Sequence, residues 1–143
     1  MCKKRIERRL IMGFTTAAFI RRNTLELRKK LEKFGYKRYG NPYQITDDSK
    51  LITTIDGEYV PYNVPLDDSF IDCGTNENLF LAIAALRDDI DIHQWFTDEN
   101  KWIQCPDIKF STYWVYNNID INLDTIHKAT VEELIEHFRG KEE

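Results

Sequence analysis

An uninterrupted apolar run from residue 79 to residue 86 is the feature that most constrains the fold of this chain. A helix that is apolar on every side belongs in the interior of a domain. The run is too short to span a bilayer, which requires about 20 apolar residues. Gly74, Thr75 and Asn76 supply start signals before it, and polar residues follow from Arg87. The sequence therefore predicts a buried central helix around which the other elements pack.

The size and composition of the chain are typical of one globular domain. A chain of 143 residues, 42% of them hydrophobic and 31% charged, is long enough for one core and is not disordered overall. Its three cysteines are widely spaced without a C-x-x-C pair, which indicates neither a disulfide framework nor a zinc site and fits a reducing compartment. Because no long apolar stretch is present, we expect a cytoplasmic protein that does not enter a membrane.

The first residues of the chain differ from the rest in charge. Residues 1–38 carry a net charge of +10, whereas residues 39–143 carry −14. Such basic and acidic parts either attract one another within a fold or present a basic surface to an acidic partner.

The codons for residues 7–9 can form a ribosome-binding site just before Met12. We therefore expect residues 1–11 to be a non-native or flexible extension, and residues 12–143 to be a single domain.

Local patterns predict alternating strands and helices. An amphipathic helix follows the capping pair Asn23 and Glu26 and ends at Gly35. A last helix begins at the capping box of Thr130 and Glu133. Strands are predicted over residues 14–20, 43–46, 51–55, 58–62, 93–96, 101–105 and 109–116, several of them joined as hairpins around Asp- and Gly-containing turns.

An internal repeat links these elements. A shift of 51 residues aligns residues 19–62 with residues 70–113 without a gap, and 10 of the 44 aligned positions are identical. A third partial copy begins near Ile126. The sequence therefore predicts an α+β fold of three helices on an antiparallel or mixed sheet, built from an internally duplicated β-α-β-β unit plus a final β-α.

One short segment mixes carboxylates with a histidine. Asp89, Asp91 and His93 alternate, so an extended segment would place them on one side as candidate metal ligands of a hydrolase or nuclease. The competing interpretation, a solvated linker after a helix, is favoured. No glycine-rich phosphate loop and no nucleophile–base motif is present, so we predict no catalytic residue and no cofactor.

Two further sets of residues are candidates for binding a macromolecule. Basic residues around the first helix are candidates for contacting nucleic-acid phosphates, namely Arg21, Arg22, Arg28, Lys29, Lys30 and Lys33. Aromatic residues are candidates for contacting a protein partner, namely Trp95, Trp102 and Trp114. Their strand-like patterns favour a place in the sheet core over a base-stacking platform.

Three other features are predicted to be structural. The acidic pairs Asp47-Asp48 and Asp98-Glu99 lie in short loops, where such side chains cap the backbone more often than they bind a cation. Cys73 precedes the central helix, where the helix dipole favours a reactive thiolate. A buried apolar cysteine is nevertheless the favoured interpretation.

Five segments of the chain resemble parts of a set of short proteins from anaerobic gut bacteria and their mobile elements. They are MGFTT at residues 12–16, DCGTN at 72–76, FLAIAALRDD at 80–89, QWF at 94–96 and KATVEELIEHF at 128–138. No activity is assigned to that set, so the resemblance implies no catalytic residue. It implies Met12 as the usual start, and a phage or conjugative-element context.

These observations favour a non-enzymatic protein-interaction module whose partner is another protein. The first alternative is a nucleic-acid-associated factor that uses the basic first helix. The second alternative is a metal-dependent hydrolase or nuclease built around residues 88–93.

Overall fold

A computed structural model of the protein describes residues 13–39, 49–62, 65–106 and 109–139. The helices in these ranges are α1 (Leu25–Phe34), α2 (Glu77–Ala84), α3 (Phe110–Tyr116) and α4 (Val131–Phe138). The strands are β1 (Ala18–Ile20), β2 (Lys37–Arg38), β3 (Leu51–Thr53), β4 (Glu58–Pro61), β5 (Ile71–Asp72), β6 (Trp95–Thr97), β7 (Trp102–Gln104) and β8 (His127–Lys128). The predicted α+β class is confirmed.

The strands form two sheets. The larger sheet has the order β2-β4-β3-β1-β5. It is mixed, because β3 pairs antiparallel with β1 and β4, whereas β5 runs parallel to β1 and β2 runs parallel to β4. The smaller sheet has the order β7-β6-β8 and is antiparallel throughout. The mixed sheet that the sequence predicted is therefore present.

The central helix α2 lies in the main core, as predicted. Phe80, Ile83 and Ala84 are fully buried, and the helix packs against β1, α1 and α4. Asn76 caps its first turn by accepting a hydrogen bond from Leu79 N–H at 3.0 Å. Leu81 is only partly buried, so one side of this apolar helix is partly accessible to solvent.

A second, smaller core lies on the opposite face of the three-stranded sheet. Phe96, Cys105 and Phe110 are buried there, and the rings of Phe96 and Phe110 stack with centroids 3.9 Å apart. Alternate residues of a strand point to opposite faces. Trp95 and Trp102 accordingly pack against the main core on the other side of this sheet.

The strand predicted over residues 109–116 is wrong, because these residues form α3. Phe110, Tyr113 and Trp114 recur at helical spacing and pack on the second core. Asp91 accepts a hydrogen bond from Phe110 N–H at 3.0 Å, so one backbone donor in the first turn of α3 has a partner. Packing thus overrides the strand propensity of an aromatic-rich segment. The described ranges consequently contain four helices, not the predicted three.

The internal duplication stays a prediction. Under the shift of 51 residues, β3 coincides with β7, and α1 overlaps α2. The match ends at β4, whose counterpart at residues 109–112 falls at the start of α3. The predicted strand at 43–46 and the acidic loop Asp47-Asp48 lie outside the described residues.

Helix ends follow the sequence signals with one correction. The N-cap of α1 is Thr24, which accepts a hydrogen bond from Leu27 N–H at 3.1 Å; it is not the predicted Asn23. Gly35 ends α1 with a φ of 114°. The predicted capping box of α4, between Thr130 and Glu133, is confirmed. None of the helices in the described ranges is long and apolar enough to cross a membrane.

Candidate ligand-binding cleft

A cleft of about 310 Å³ opens where α1, α2 and the smaller sheet meet. Its lining is Lys30, Lys33 and Phe34 from α1, Asn78, Leu81 and Ala82 from α2, His93, Trp95 and Gln104 from the β6–β7 hairpin and the loop before it, and Phe138 from the end of α4. We call this site the lysine–aromatic cleft. It draws on each of the three residue sets that the sequence singled out: the basic helix, the segment around His93 and the tryptophans.

Aromatic rings form one wall of the cleft. The His93 and Phe34 rings lie 4.7 Å apart at an angle of 35°. The Trp95 and Phe138 rings meet edge to face at 5.6 Å. Both are favourable aromatic geometries. Behind Trp95, the rings of Trp102 and His137 stack at 3.9 Å. The wall is therefore backed by further rings, which hold Trp95 in place.

The smaller sheet places Trp95 and Gln104 side by side in the cleft. These two residues are directly paired across β6 and β7, so their side chains leave the same face of the sheet. Phe96 and Ile103 point to the other face, into the second core. The alternation of β6 thus separates the cleft from the second core.

Two exposed lysines of α1, Lys30 and Lys33, form part of the rim of the cleft. Leu27 and Leu31 make the buried stripe of α1, and Lys30 and Lys33 flank it one turn apart. No carboxylate of the described residues lies within ion-pair distance of either lysine. The rim therefore presents positive charge beside an aromatic wall.

His93 reaches the cleft from an uncommon backbone conformation. Its φ is 70°, in the left-handed region that most residues other than glycine avoid. The backbone is held on both sides, because His93 N–H donates to the Cys105 carbonyl at 2.8 Å and the His93 carbonyl accepts from Gln104 Nε2 at 3.2 Å. Both bonds come from the end of β7, which holds the backbone of His93 in place.

The structure does not bring the candidate metal ligands together. Asp89 accepts two hydrogen bonds from the Arg87 guanidinium at 2.8 and 2.7 Å, which hold the pKa of its carboxyl below its usual value. Asp91 accepts from Phe110 N–H and lies 3.6 Å from Lys128 Nζ. His93 lies in the lysine–aromatic cleft. Within the described ranges, no group of three His, Cys, Asp or Glu residues is arranged to hold a metal ion.

The basic candidates divide into two groups. Arg21 pairs with Asp72 at 3.2 Å, and Arg22 pairs with Glu77 at 3.5 Å. Arg28 donates to Asn23 at 2.8 Å. Lys29 is exposed on α1, while Lys30 and Lys33 line the cleft. The arginines thus serve the fold, and the lysines are the residues left to face a ligand.

The three tryptophan candidates lie in different parts of the structure. Trp95 lines the cleft, Trp102 stacks on His137 behind it, and Trp114 packs on the second core. All three are partly buried.

The described acidic loop is a capped turn, as predicted. Asp98 accepts hydrogen bonds from the backbone N–H groups of Asn122 at 2.8 Å, Asn100 at 3.0 Å and Lys101 at 2.8 Å. These bonds, led by the one from Asn122, keep the pKa of Asp98 below its usual value. The carboxylate is thus committed to the backbone of its own loop and of the segment around Asn122.

The thiol of Cys73 is buried, which also agrees with the prediction. Burial raises its pKa to about 12. The side chain is therefore a neutral thiol at neutral pH and lacks the thiolate that a nucleophile requires.

Sequence reasoning singled out four of the ten lining residues, namely Lys30, Lys33, His93 and Trp95. Phe34, Leu81, Ala82 and Phe138 carried only the signal of core residues, and nothing marked Asn78 or Gln104 as part of a site. No family model matches the chain, and no curated protein or solved structure was found to be similar to it. Its chemistry is therefore interpreted from the cleft alone.

Proposed function

We propose that the protein is a non-enzymatic binding protein whose lysine–aromatic cleft accepts an acidic segment of another protein that carries an aromatic side chain. The observation that carries this proposal is that Lys30 and Lys33 line the same cleft as the rings of Phe34, His93 and Trp95. An acidic residue of the partner would meet the ammonium groups, and an aromatic residue would pack on the rings.

The size of the cleft suits one or two side chains. At about 310 Å³, it lies at the lower end of the range of roughly 300 to 1,000 Å³ that is usual for small-molecule pockets. A peptide segment that inserts an aromatic ring and lays its backbone outside would fill it. The amide of Asn78 is suited to hydrogen bonds with that backbone, and so is the amide oxygen of Gln104, whose Nε2 donates to the His93 carbonyl.

The lining favours binding over catalysis. Its described residues include no Ser, Cys, Asp or Glu, the groups that most often act as nucleophile or general base beside a histidine. Outside the cleft, three groups have strongly raised pKa values, and burial is the main cause of each shift. These are Cys73 and the hydroxyls of Tyr36 and Tyr59.

A protein partner is favoured over nucleic acid because the positive surface is short. Arg21 and Arg22 already pair with carboxylates of the fold, and the chain beyond residue 38 is strongly acidic. A nucleic-acid strand needs a longer positive track to contact successive phosphates. An acidic peptide needs positive charge at one place only.

A display selection of random peptides against the full chain tests the proposal. We expect enrichment of sequences that combine Asp or Glu with Tyr, Trp or Phe. The Lys30→Glu/Lys33→Glu variant should bind the selected peptides at least roughly tenfold more weakly, because it reverses the charge of the rim. The matched control is Lys29→Glu/Lys37→Glu, which makes the same charge change outside the lining and should retain most of the affinity.

Three outcomes would contradict the proposal. The first is a selection without acidic residues, and the second is an equal loss of affinity in both double variants. The third is that a single-stranded oligothymidylate, at the same salt concentration, binds the parent more tightly than the selected peptides do. That last result would instead support the nucleic-acid alternative.

A further inference from the structure

β7 is the outer strand of the smaller sheet, and its outer side meets no other strand in the described ranges. In an antiparallel pair, every second residue directs its N–H and carbonyl groups to the partner strand, and the residues between them direct theirs away. Cys105 N–H donates to the Gln94 carbonyl at 2.9 Å, which fixes the phase of this alternation. Ile103 thus faces β6, while Trp102 and Gln104 direct their main-chain groups outward.

These outward groups are available for pairing. None of the hydrogen bonds among the described residues uses the main-chain N–H or carbonyl of Trp102 or Gln104. Gln104 is exposed, and Trp102 is partly buried. A strand edge with such groups is a template on which a further strand can form.

The same edge borders the lysine–aromatic cleft. Gln104 lines the cleft with its side chain, while its main-chain groups face the edge. Every second side chain of an added strand would point to the face of the sheet on which Trp95 and Gln104 lie, and this is the face that the cleft occupies. The edge thus offers main-chain hydrogen bonds to an extended segment whose side chains can enter the cleft.

We infer that the acidic–aromatic segment binds in an extended conformation as an added strand of the smaller sheet, and that it exchanges main-chain hydrogen bonds with Trp102 and Gln104. This inference rests on the proposed function. It adds the mode of recognition, in which main-chain bonds to β7 supply affinity and the cleft selects the side chains that enter it.

Amide hydrogen exchange of the isotope-labelled full chain, followed by NMR with and without a selected acidic–aromatic peptide, tests the inference. In the free chain, we expect the amides of Trp102 and Gln104 to exchange at least roughly tenfold faster than that of Ile103, which faces β6. At saturating peptide, exchange at Trp102 and Gln104 should slow at least roughly tenfold. Ile103 is the internal control, because its amide is protected in both states.

Gln104→Pro and Gln104→Ala form a matched pair of variants. Both lose the side-chain amide that bonds to the His93 carbonyl, but only proline also removes the outward N–H. Proline is tolerated in an edge strand where the N–H faces solvent, so the melting temperatures of the two variants should be close. Gln104→Pro should bind the selected peptide at least roughly fivefold more weakly than Gln104→Ala. If Gln104→Pro does not fold, hydrogen exchange of the parent still decides the question.

The outcomes separate the two proposals. If the parent binds no acidic–aromatic peptide, the proposed function fails and this inference fails with it. If the parent binds such a peptide but Trp102 and Gln104 keep their fast exchange, or Gln104→Pro binds as tightly as Gln104→Ala, only the present inference is overturned. It is also overturned if both amides are already protected in the free chain, because another part of this chain or a second copy then fills the edge.

Discussion

Gly13 shows how closely single residues are fitted in this fold. Its φ is 71°, and a Cβ atom placed on it would lie 2.0 Å from Asp89 Oδ1. Asp89 has little freedom to move away, because Arg87 holds its carboxylate at both oxygens. The guanidinium of Arg87 in turn lies 4.5 Å from the centre of the Phe14 ring. Asp89, a candidate metal ligand from sequence, is therefore part of a structural contact between the segment at Gly13 and Phe14 and the residues that follow α2.

Gly13→Ala should lower the free energy of unfolding by about 2 to 4 kcal/mol, because it adds left-handed backbone strain to a steric clash. Urea denaturation followed by circular dichroism measures this. In the double variant with Asp89→Ala, the clash disappears, so the combined loss should be clearly smaller than the sum of the two single losses. Strict additivity would show that the close approach of Gly13 to Asp89 is absent in solution.

At the scale of elements, the five segments that carry the sequence resemblance contact one another. Gly13 accepts a hydrogen bond from Asp88 N–H at 3.0 Å. Lys128 Nζ donates to the carbonyls of Arg87 and Ile90 at 3.0 and 2.9 Å. The Gln94 side chain accepts from Arg87 N–H at 3.2 Å, and Asn76 Nδ2 donates to the Phe138 carbonyl at 3.1 Å. These segments hold the fold together, whereas the resemblance itself and its mobile-element context stay predictions.

The accuracy of the sequence predictions followed the strength of local signals. The Thr130 capping box was predicted correctly, and so was the hairpin of the strands predicted over 51–55 and 58–62, which become β3 and β4 on either side of an Asp-Gly turn. A few adjacent side chains determine each of these features. The helix α3 was missed because its aromatic residues fit both a strand and a helix, and only packing on the second core decides between them. The cleft was missed as a unit, since its residues come from three helices, two strands and a loop, and no local pattern encodes how these approach one another.

The junction between β8 and α4 contains His127, whose two ring nitrogens both face hydrogen-bond acceptors. His127 Nδ1 lies 2.7 Å from the Thr125 carbonyl, and Nε2 lies 2.9 Å from both Glu133 oxygens. Both ring nitrogens face acceptors, so the imidazolium is favoured. The Thr125 carbonyl and then Glu133 raise the pKa of His127. Partial burial acts to raise the pKa of Glu133, but hydrogen bonds from Thr130 N–H and His127 outweigh it and leave that pKa lowered.

Because the pKa of His127 is raised in the folded state, its contribution to stability is complete below the unfolded pKa of about 6.5 and is lost as pH rises through the folded value. We therefore expect His127→Gln to lower the melting temperature at about pH 5.5 more than at about pH 8. Calorimetry of both proteins at the two pH values measures the difference. An equal effect at both pH values would contradict this assignment of charge.

At the scale of the whole molecule, some charges of the basic first segment form ion pairs with the acidic remainder of the chain. Arg21 and Arg22 of the basic first segment pair with Asp72 and Glu77 of the acidic remainder. These pairs join the residues after β1 to the end of β5 and to the first residue of α2. Lys30 and Lys33 are left at the rim of a cleft where α1, α2, α4 and the smaller sheet meet. Intramolecular attraction and a basic binding surface therefore coexist, each with its own residues.

The three tryptophans allow the most direct test of the central claim, that the lysine–aromatic cleft binds an acidic–aromatic segment. Trp95 lines the cleft, Trp102 lies behind it with ring centroids 6.5 Å from Trp95, and Trp114 packs on the second core. Fluorine NMR of the fluorotryptophan-labelled full chain, titrated with a selected peptide, reports on all three at once. We predict a saturable shift that is largest for Trp95, smaller for Trp102 and absent for Trp114. A titration that shifts Trp114 while leaving Trp95 unchanged would place the ligand elsewhere and contradict the account.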